Sequence, residues 1–310
     1  MPTLERLLAG PHQVAAVVSQ PDRPRGRGRR LSPSPVSARA LAAGLVLLRP
    51  ERVGDPAVVA ALREQAPDLA VVVAFGQFLP KAIRELPRLG YSINAHASLL
   101  PRHRGAAPIA HAILAGDAET GISVMRVERE MDAGAVCLVK RTPIGEHETA
   151  GSLEQRLAAL AAGAIAEALD GIASGAARWT PQDAALATFA PKLGPADALL
   201  DPALPAAALA RRVRALAPRP GAVLQLGAEP LRILAAHVES GPADRAAGVV
   251  ARDAGALRLA TSEGWLVLDR LQRPGGRVLS AADFLRGFDV PDGARLERPA
   301  QRGGADAAAE

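Results

Sequence analysis

Three polar residues in the first half of the sequence have the types and spacing for acyl-transfer chemistry. The stretch SINAHASLLPRHRG (92–105) contains Asn94 and His96, which project to the same side of the chain if it forms an extended strand. An asparagine amide can donate to a developing oxyanion, and a nearby imidazole can stabilise that charge or move a proton. Asp132 in EREMDAGAV adds a carboxylate that could orient the imidazole or accept an amine proton. On spacing alone, a loop-capping asparagine and a structural histidine also fit this pattern.

The elements that would position these residues are short apolar segments that alternate with amphipathic ones. LVLLRP, DLAVVVAFG and YSINAHA have the composition of strands, whereas SARALAAG and DPAVVAALREQAP have that of helices. Ser34 and Pro35 are typical of a helix start, as cap and first-turn residue. The alternation predicts βαβ units in a doubly wound, mostly parallel sheet of the Rossmann-like α/β class. Polar residues beyond the carboxyl ends of such strands line a ligand crevice.

The sequence changes character after residue 175. RWTPQDAALATFAPKLGPAD is interrupted by prolines and predicts a connector, and LPAAALARRVRAL predicts a helix. Short strand-like segments separated by turn residues follow, which predicts a small β-rich, OB-like barrel. Ser280 is placed to cap a late helix. The predicted organisation is a catalytic domain over 1–175, a linker over 176–197, a barrel domain over 198–298 and a disordered tail over 299–310.

Composition limits the classes of function. A net charge of +5 and a pI near 10.2 suggest an acidic partner such as nucleic acid, although the scarcity of lysine beside arginine also fits a compositional bias. Aromatic residues make up 3%, which argues against recognition by rows of stacked rings. The single cysteine, Cys137, predicts a reducing, cytoplasmic setting without disulfides. No apolar run approaches the roughly 18 residues of a membrane span, and no histidine motif predicts a metal site.

The stretch PDRPRGRGRRLSPSP (21–35) combines proline, glycine and arginine and therefore predicts a loop. Its glycines lack the G-x-G-x-x-G spacing of dinucleotide-binding turns. A charge run of this kind is usually a solvated face. The same arginines could instead contact the phosphates of a nucleic acid.

Ordered blocks along the chain resemble the formyltransferases that use 10-formyltetrahydrofolate. The blocks run from about residue 19 to 290 and include QPDRPRGRGRRLSPSPV, VVAFGQFLPKAI, SLLPRHRGAAPI, GDAETGIS, MDAGAV, TFAPKL and LQRPGGRVLSAADFLRG. Within that family they most resemble the members that act on methionyl-tRNA. The resemblance implies 10-formyltetrahydrofolate as co-substrate, the initiator methionyl-tRNA as acceptor, no metal, no membrane contact, and a monomer in the cytoplasm.

The resemblance also implies roles for individual residues. Asn94 and His96 would stabilise the oxyanion, while Asp132 would orient His96 and take up the amine proton. The folate would lie against a second group of residues, and arginines of the 21–35 stretch and of the second domain would contact tRNA. The folate group comprises Phe75, Ser98, Leu99, Leu100 and Pro101, and the tRNA group comprises Arg23, Arg25, Arg27, Arg29, Arg30, Arg211 and Arg219.

Two departures from the family pattern leave other functions open. The family's first strand and the Gly-Pro loop after it have no counterpart here, so we expect either a start internal to the natural one or impaired catalysis. APRPGA (217–222) lacks the aromatic residue that the family usually has between these prolines. The alternatives are a formyltransferase acting on an amino-sugar nucleotide or on glycinamide ribonucleotide, and a catalytically impaired tRNA-binding protein.

Overall fold

The computed structural model describes residues 1–25, 30–253 and 255–300, which form two compact units. The first unit consists of Met1–Pro108, Glu119–Pro143 and Gln155–Ala190. The second takes Ile109–Ala118 and Ile144–Glu154 and continues from Pro191. The domain bounds that the sequence predicts, at 175 and 197, stay predictions. Most of the predicted tail lies outside the described residues.

The chain up to residue 173 alternates strands and helices, as the apolar pattern predicts. Its elements are α1 (Pro2–Leu8), β1 (Ala16–Val18), β2 (Arg23–Arg25), β3 (Arg30–Ser32), α2 (Pro35–Ala42), β4 (Val46–Leu48), α3 (Pro56–Glu64), β5 (Ala70–Val72), α4 (Lys81–Arg84), β6 (Ser92–His96), α5 (Pro108–Ala115), β7 (Glu119–Arg126), β8 (Val136–Pro143) and α6 (Ala150–Ala173).

The sheets of the first unit confirm the doubly wound α/β class. β1 pairs in parallel with β4, and β5 pairs in parallel with β6. β6 then pairs antiparallel with β7, and β7 with β8, in a four-stranded sheet ordered β5-β6-β7-β8. The strand that carries Asn94 and His96 is therefore hydrogen-bonded on both edges. Hydrogen bonds on both edges fix the backbone from which the Asn94 and His96 side chains extend.

The sequence around residue 34 led to two predictions, a helix cap at Ser34 and a loop over 21–35, and only the first is fully confirmed. The Ser34 hydroxyl accepts a 2.9 Å hydrogen bond from Ser37 N and caps α2, as predicted. The loop predicted over 21–35 is wrong in part, because β2 and β3 pair as antiparallel strands with Arg25 opposite Arg30. Both strands are only three residues long and contain arginine, and β2 also contains a proline, so they lack the apolar alternation by which a strand is recognised in a sequence.

The second unit contains the predicted barrel. Its further elements are α7 (Ala206–Leu216), β9 (Ala222–Leu226), β10 (Glu229–Glu239), β11 (Val250–Asp253), β12 (Ala256–Ala260), β13 (Trp265–Gln272), β14 (Leu279–Ser280), α8 (Ala281–Gly287) and β15 (Leu296–Glu297). The sheet order is β11-β12-β13-β10-β9-β15. The antiparallel bridge between Val249 and Arg295 brings the two ends of this order together and closes the barrel.

One apolar core fills the barrel. Leu209, Val213 and Leu216 recur at helical spacing along one face of α7 and are buried with Leu224 and Ile233 of the sheet. The Ser280 hydroxyl accepts from Asp283 N at 3.1 Å, so the predicted cap of α8 is confirmed. Among the described helices, none is both long and apolar enough to cross a membrane.

Candidate active site

Asn94 and His96 lie on strand β6 at the centre of the candidate site. Asn94 pairs with Val72 on one side and Met125 on the other, and His96 pairs with Ser123. Since they are two residues apart on one strand, their side chains share a face of the sheet. Within the described chain, no hydrogen bond occupies the Asn94 side-chain amide, which is only partly buried. That amide can therefore donate to an external oxygen.

The His96 ring is buried between two hydrogen-bond acceptors. Its Nε2 lies 2.9 Å from the carbonyl oxygen of His103, so Nε2 carries a proton and donates it. Its Nδ1 lies 3.5 Å from Oδ2 of Asp132, and the two side chains are 6% and 14% exposed. The Nδ1 atom therefore faces a carboxylate oxygen. The arrangement gives the imidazole a neighbour with which it can exchange a proton.

Asp132 is held in an uncommon backbone conformation between β7 and β8. Its φ of 52° is left-handed, a region that aspartate tolerates better than most residues. Its Oδ2 accepts a 2.9 Å hydrogen bond from Gly105 N. Gly105 itself has a φ of 120°, and a Cβ there would lie 2.8 Å from the Ala190 carbonyl oxygen, so this position requires glycine. The loop after β6 and the loop before β8 therefore meet at the carboxylate.

A connector segment that the sequence assigns to a linker contacts both of these loops. The Thr188 hydroxyl accepts from His103 N at 2.9 Å. The Gln182 Nε2 lies 2.8 Å from the carbonyl oxygens of both Asp132 and Gly134. Sequence reasoning missed both residues as contributors to the site. The TFAPKL block, which contains Thr188, carried the only available signal.

The single cysteine, Cys137, lies on β8 and is partly buried. Burial raises the pKa of the Cys137 thiol, with a smaller opposing effect from its own backbone hydrogen bond and from Arg126. A protonated thiol is a poor nucleophile at neutral pH.

Arg126 stacks on Tyr91 and Trp179, with its guanidinium carbon 4.2 Å and 4.4 Å from the two ring centroids. This stack anchors the end of β7, where the Asp132 loop begins.

Four of the five residues predicted to bind folate lie within five positions of His96 in the chain, and the hydroxyl of one of them is already hydrogen-bonded. The Ser98 hydroxyl is buried and donates to the Arg102 carbonyl oxygen at 2.6 Å, so it serves the loop itself. Leu99, Leu100 and Pro101 are partly exposed and follow His96 in the chain. Phe75 is partly buried in an apolar cluster after β5. Their role in binding folate stays a prediction.

The residues predicted to bind tRNA are distributed over both units. Arg23 and Arg30 are exposed on the β2–β3 pair, whereas only the backbone position of Arg25 is described. Arg27 and Arg29 lie outside the described residues. In the second unit Arg219 is exposed, and Arg211 is partly buried against Gly116, with its Nε unpaired among the described residues.

Desolvation lowers the pKa of Arg214 in the second unit, and nearby Arg211 adds to the effect. Glu146 and Glu148 oppose this effect, so the positive charge of the two arginines is already partly compensated.

A sheet that presents a free asparagine amide beside a buried histidine–aspartate pair defines an enzyme of group transfer at a carbonyl carbon. Comparison with known proteins agrees with this class. Residues 3–169 match the family described as Formyl transferase, and residues 192–289 match Formyl transferase, C-terminal domain. The chain therefore belongs to the formyl transferase family.

Individual relatives cover nearly the whole chain. A methionyl-tRNA formyltransferase of Halorhodospira halophila is 48% identical over 288 residues, covering 93% of this chain and 92% of the relative. Another, of Aromatoleum aromaticum, is 46% identical over 298 residues, covering 96% and 94%. Among solved structures, the sugar 3N-formyl transferase WlaRD superposes with a TM-score of 0.65 at 14% identity, covering 88% of this chain and 93% of that one. HypX of Aquifex aeolicus in complex with tetrahydrofolic acid gives a TM-score of 0.58 at 18% identity, and the chain spans 43% of its length.

Proposed function

We propose that this enzyme transfers the formyl group of 10-formyltetrahydrofolate to the amino group of initiator methionyl-tRNA, for translation initiation. The observation that carries the proposal is the placement of His96 between the His103 carbonyl and Asp132, on the same strand face as the free amide of Asn94. The relatives that share almost the whole chain at 46–48% identity are methionyl-tRNA formyltransferases. Such an acceptor places the enzyme in the cytoplasm.

The catalytic roles follow from the chemistry of each side chain. The formyl donor supplies an activated carbonyl carbon, and the amine nitrogen of the acceptor forms a bond to it. Asn94 donates to the formyl oxygen as negative charge develops there, and His96 on the same strand face adds to the stabilisation of that charge. A donor already in place costs little reorganisation when the charge appears.

Asp132 handles the proton of the reaction. The acceptor amine loses one proton as its nitrogen bonds to the formyl carbon, and the folate nitrogen gains one as the carbon–nitrogen bond breaks. Asp132 accepts the first proton, directly or through water, and returns one to the departing nitrogen. Its Oδ2 is held by Gly105 N at 2.9 Å, which keeps the carboxylate in place during both steps. The reaction leaves the protonation of the enzyme unchanged.

The folate contacts are part of the proposal. The partly exposed Leu99, Leu100 and Pro101 provide an apolar wall after the strand that carries Asn94 and His96. Phe75, which follows β5 in the chain, supplies a second apolar surface. Solved relatives support this choice of ligand, since HypX and WlaRD were crystallised with tetrahydrofolic acid and 5-N-formyl-THF. Ser98 would contribute only its backbone, because its hydroxyl is bonded to Arg102.

Recognition of tRNA would rely on arginines rather than on stacking. Exposed Arg23 and Arg30 on the β2–β3 pair and Arg219 in the second unit suit contacts with phosphates. Arg25, Arg27, Arg29 and Arg211 complete the proposed set from the sequence. Binding of this kind weakens steeply with salt and is largely independent of base sequence. All three catalytic residues lie in one unit of one chain, so a monomer suffices for the function.

One assay tests the proposal against its alternatives. Purified enzyme and labelled 10-formyltetrahydrofolate are incubated separately with methionyl-tRNA, an amino-sugar nucleotide and glycinamide ribonucleotide. We expect label on the amino group of methionyl-tRNA and little on the other acceptors. Preferential labelling of a small acceptor would replace the proposed substrate. Binding of methionyl-tRNA without any transfer would instead support a tRNA-binding protein that lacks catalysis.

A further inference from the structure

The segment from Thr180 to Ala190 is hydrogen-bonded to both loops that form the catalytic site. Thr180 and Val136 exchange two backbone hydrogen bonds of 2.9 Å at the end of the Asp132 loop. At the other end, Ala190 N donates to the Arg104 carbonyl oxygen at 2.7 Å, beyond the His96 loop. A connector used only as a tether would need neither set of bonds.

Gln182 lies at the centre of this segment and uses both ends of its amide. Its Nε2 donates to the carbonyl oxygens of Asp132 and Gly134, each at 2.8 Å. Its Oε1 accepts from Nε and Nη2 of Arg104 at 3.1 Å and 2.9 Å. Arg104 is 3% exposed and directly precedes Gly105, whose N–H binds the Asp132 carboxylate. One side chain therefore joins the two segments that hold this carboxylate.

The backbone of Asp132 needs such support. Although aspartate tolerates a left-handed φ better than most residues, the φ of 52° at Asp132 is still uncommon for a non-glycine residue and is kept by its surroundings. Two hydrogen bonds from a single amide, on either side of residue 133, select the loop conformation in which the Asp132 carboxylate faces His96. Relaxation of that φ would move the carboxylate away from Gly105 N and from His96.

We infer that Gln182 is a positioning residue for formyl transfer, which holds the Asp132 carboxylate at His96 through the backbone of residues 132–134. The inference rests on the proposed function. Gln182 touches neither reacting group and acts only through Asp132. Its removal therefore slows the chemical step and leaves binding of methionyl-tRNA unchanged.

Two substitutions separate positioning from folding. Gln182→Glu keeps an acceptor for Arg104 but loses both donors, whereas Gln182→Met has similar length and loses every polar contact. Gln225 is a matched control in the barrel, where its Nε2 also donates to a backbone carbonyl, that of Gly227, at 3.0 Å. Gln225→Glu and Gln225→Met should leave formyl transfer at the wild-type rate.

We expect both Gln182 variants to lower kcat about 100-fold, the scale expected when a catalytic group is displaced by about 1 Å. The KM for methionyl-tRNA should stay within about threefold of wild type, because only the transition state loses an interaction. Thermal unfolding of both variants is measured beside kcat, because Gln182→Glu keeps a partner for Arg104 whereas Gln182→Met does not. A kcat within about threefold of wild type in both variants would overturn the inference.

A double-mutant cycle with Asp132→Asn tests the route of the effect. If Gln182 acts through the Asp132 carboxylate, then Gln182→Met should slow single-turnover transfer no further once Asp132→Asn is present. A full additional 100-fold loss in the double variant would show a general structural role and would overturn the inference.

Amide hydrogen exchange provides a readout that does not depend on catalysis. Gln182→Met should reduce the protection of Gly105 N–H, which depends on the position of the Asp132 carboxylate, while Gln225→Met should not. Unchanged protection at Gly105 would contradict the inference even if activity fell. Failure of the wild-type enzyme to formylate methionyl-tRNA would count against the proposed function alone, because the exchange result would still decide whether Gln182 positions Asp132.

Discussion

One histidine–aspartate pair from each unit, His96–Asp132 in the first and His237–Asp269 in the barrel, can be compared, and the two pairs differ most in burial. In the first unit, His96 and Asp132 are 6% and 14% exposed, with Nδ1 and Oδ2 3.5 Å apart. In the barrel, His237 Nδ1 lies 2.9 Å from Asp269 Oδ2, and these side chains are 47% and 40% exposed. The barrel pair is the tighter one by distance, so close approach alone does not define a catalytic site.

The His96–Asp132 pair is buried, and its histidine has a second hydrogen-bond partner, whereas the barrel pair is exposed. The His96 ring is fixed at its other nitrogen by the His103 carbonyl, and Asn94 presents a free amide on the same strand face. Burial also strengthens electrostatic interactions, because little water screens them. The exposed pair on the barrel is solvated and gains little from its proximity. We therefore expect catalysis at the pair whose ring is fixed by a further group and whose side chains are shielded from water.

The largest difference between the regions should appear when each histidine is removed. His96→Ala should lower kcat on the order of 10³-fold, within the usual range for general acid–base catalysis. His237→Ala should leave kcat within about twofold of wild type. Steady-state formylation of methionyl-tRNA measures both. Similar losses in the two variants would mean that the barrel pair also takes part in turnover.

The next effect concerns the amide beside the first pair. Asn94→Ala removes a donor to the formyl oxygen and should cost about 10²–10³ in kcat, the usual loss for one oxyanion donor. The KM for methionyl-tRNA should change little. Asn94→Asp is a useful companion, because a carboxylate of the same size repels the developing charge and should be at least as slow. A kcat near wild type for Asn94→Asp would remove this residue from the mechanism.

A carboxylate of the barrel should affect stability and not rate. A hydrogen bond from Arg245, with a second from Arg252 N, lowers the pKa of Asp292 from 3.8 to about 2. Since the folded value lies below the unfolded one, this group stabilises the fold above pH 4, and the contribution disappears as the pH falls to about 2. Asp292→Asn should therefore destabilise the enzyme to urea at pH 7 and should match wild type near pH 2. A stability difference that grew on acidification would contradict the sign of this effect.

The smallest effect should come from the arginines of the β2–β3 pair. Arg30→Ala should raise the KM for methionyl-tRNA a few-fold and reduce the slope of log(kcat/KM) against log[salt] by about one unit. Arg63→Ala, an arginine of α3 outside the proposed tRNA set, serves as control. An unchanged salt slope for Arg30→Ala would remove this strand pair from the tRNA-binding surface.

Much of the architecture could be predicted because it depends on local patterns. The alternation along β6 placed Asn94 and His96 on one face, and Ser34 and Ser280 had the recognisable positions of helix caps. The segment LPAAALARRVRAL predicted the helix that the structure has as α7. Each of these signals is complete within about ten residues of sequence.

The remainder depends on contacts between distant residues, for which a single sequence has no pattern. Gln182 reaches the Asp132 carbonyl across 50 positions, and His103 N reaches Thr188 across 85. The left-handed conformation of Asp132 and the internal use of the Ser98 hydroxyl likewise follow from packing and not from residue type. The sequence could propose Asp132 as the partner of His96, and the resemblance to a family supported that role, whereas only the structure indicates what holds Asp132 in place.

The most direct test is the single-turnover rate of formyl transfer to methionyl-tRNA by Asp132→Asn and by Asp269→Asn, each with enzyme in excess over both substrates. An amide at position 132 cannot take up the amine proton, whereas Asp269 lies on the exposed barrel pair. We predict that Asp132→Asn is on the order of 10³-fold slower than wild type and that Asp269→Asn transfers at the wild-type rate. Equal rates for Asp132→Asn and wild type would contradict the assignment of this site.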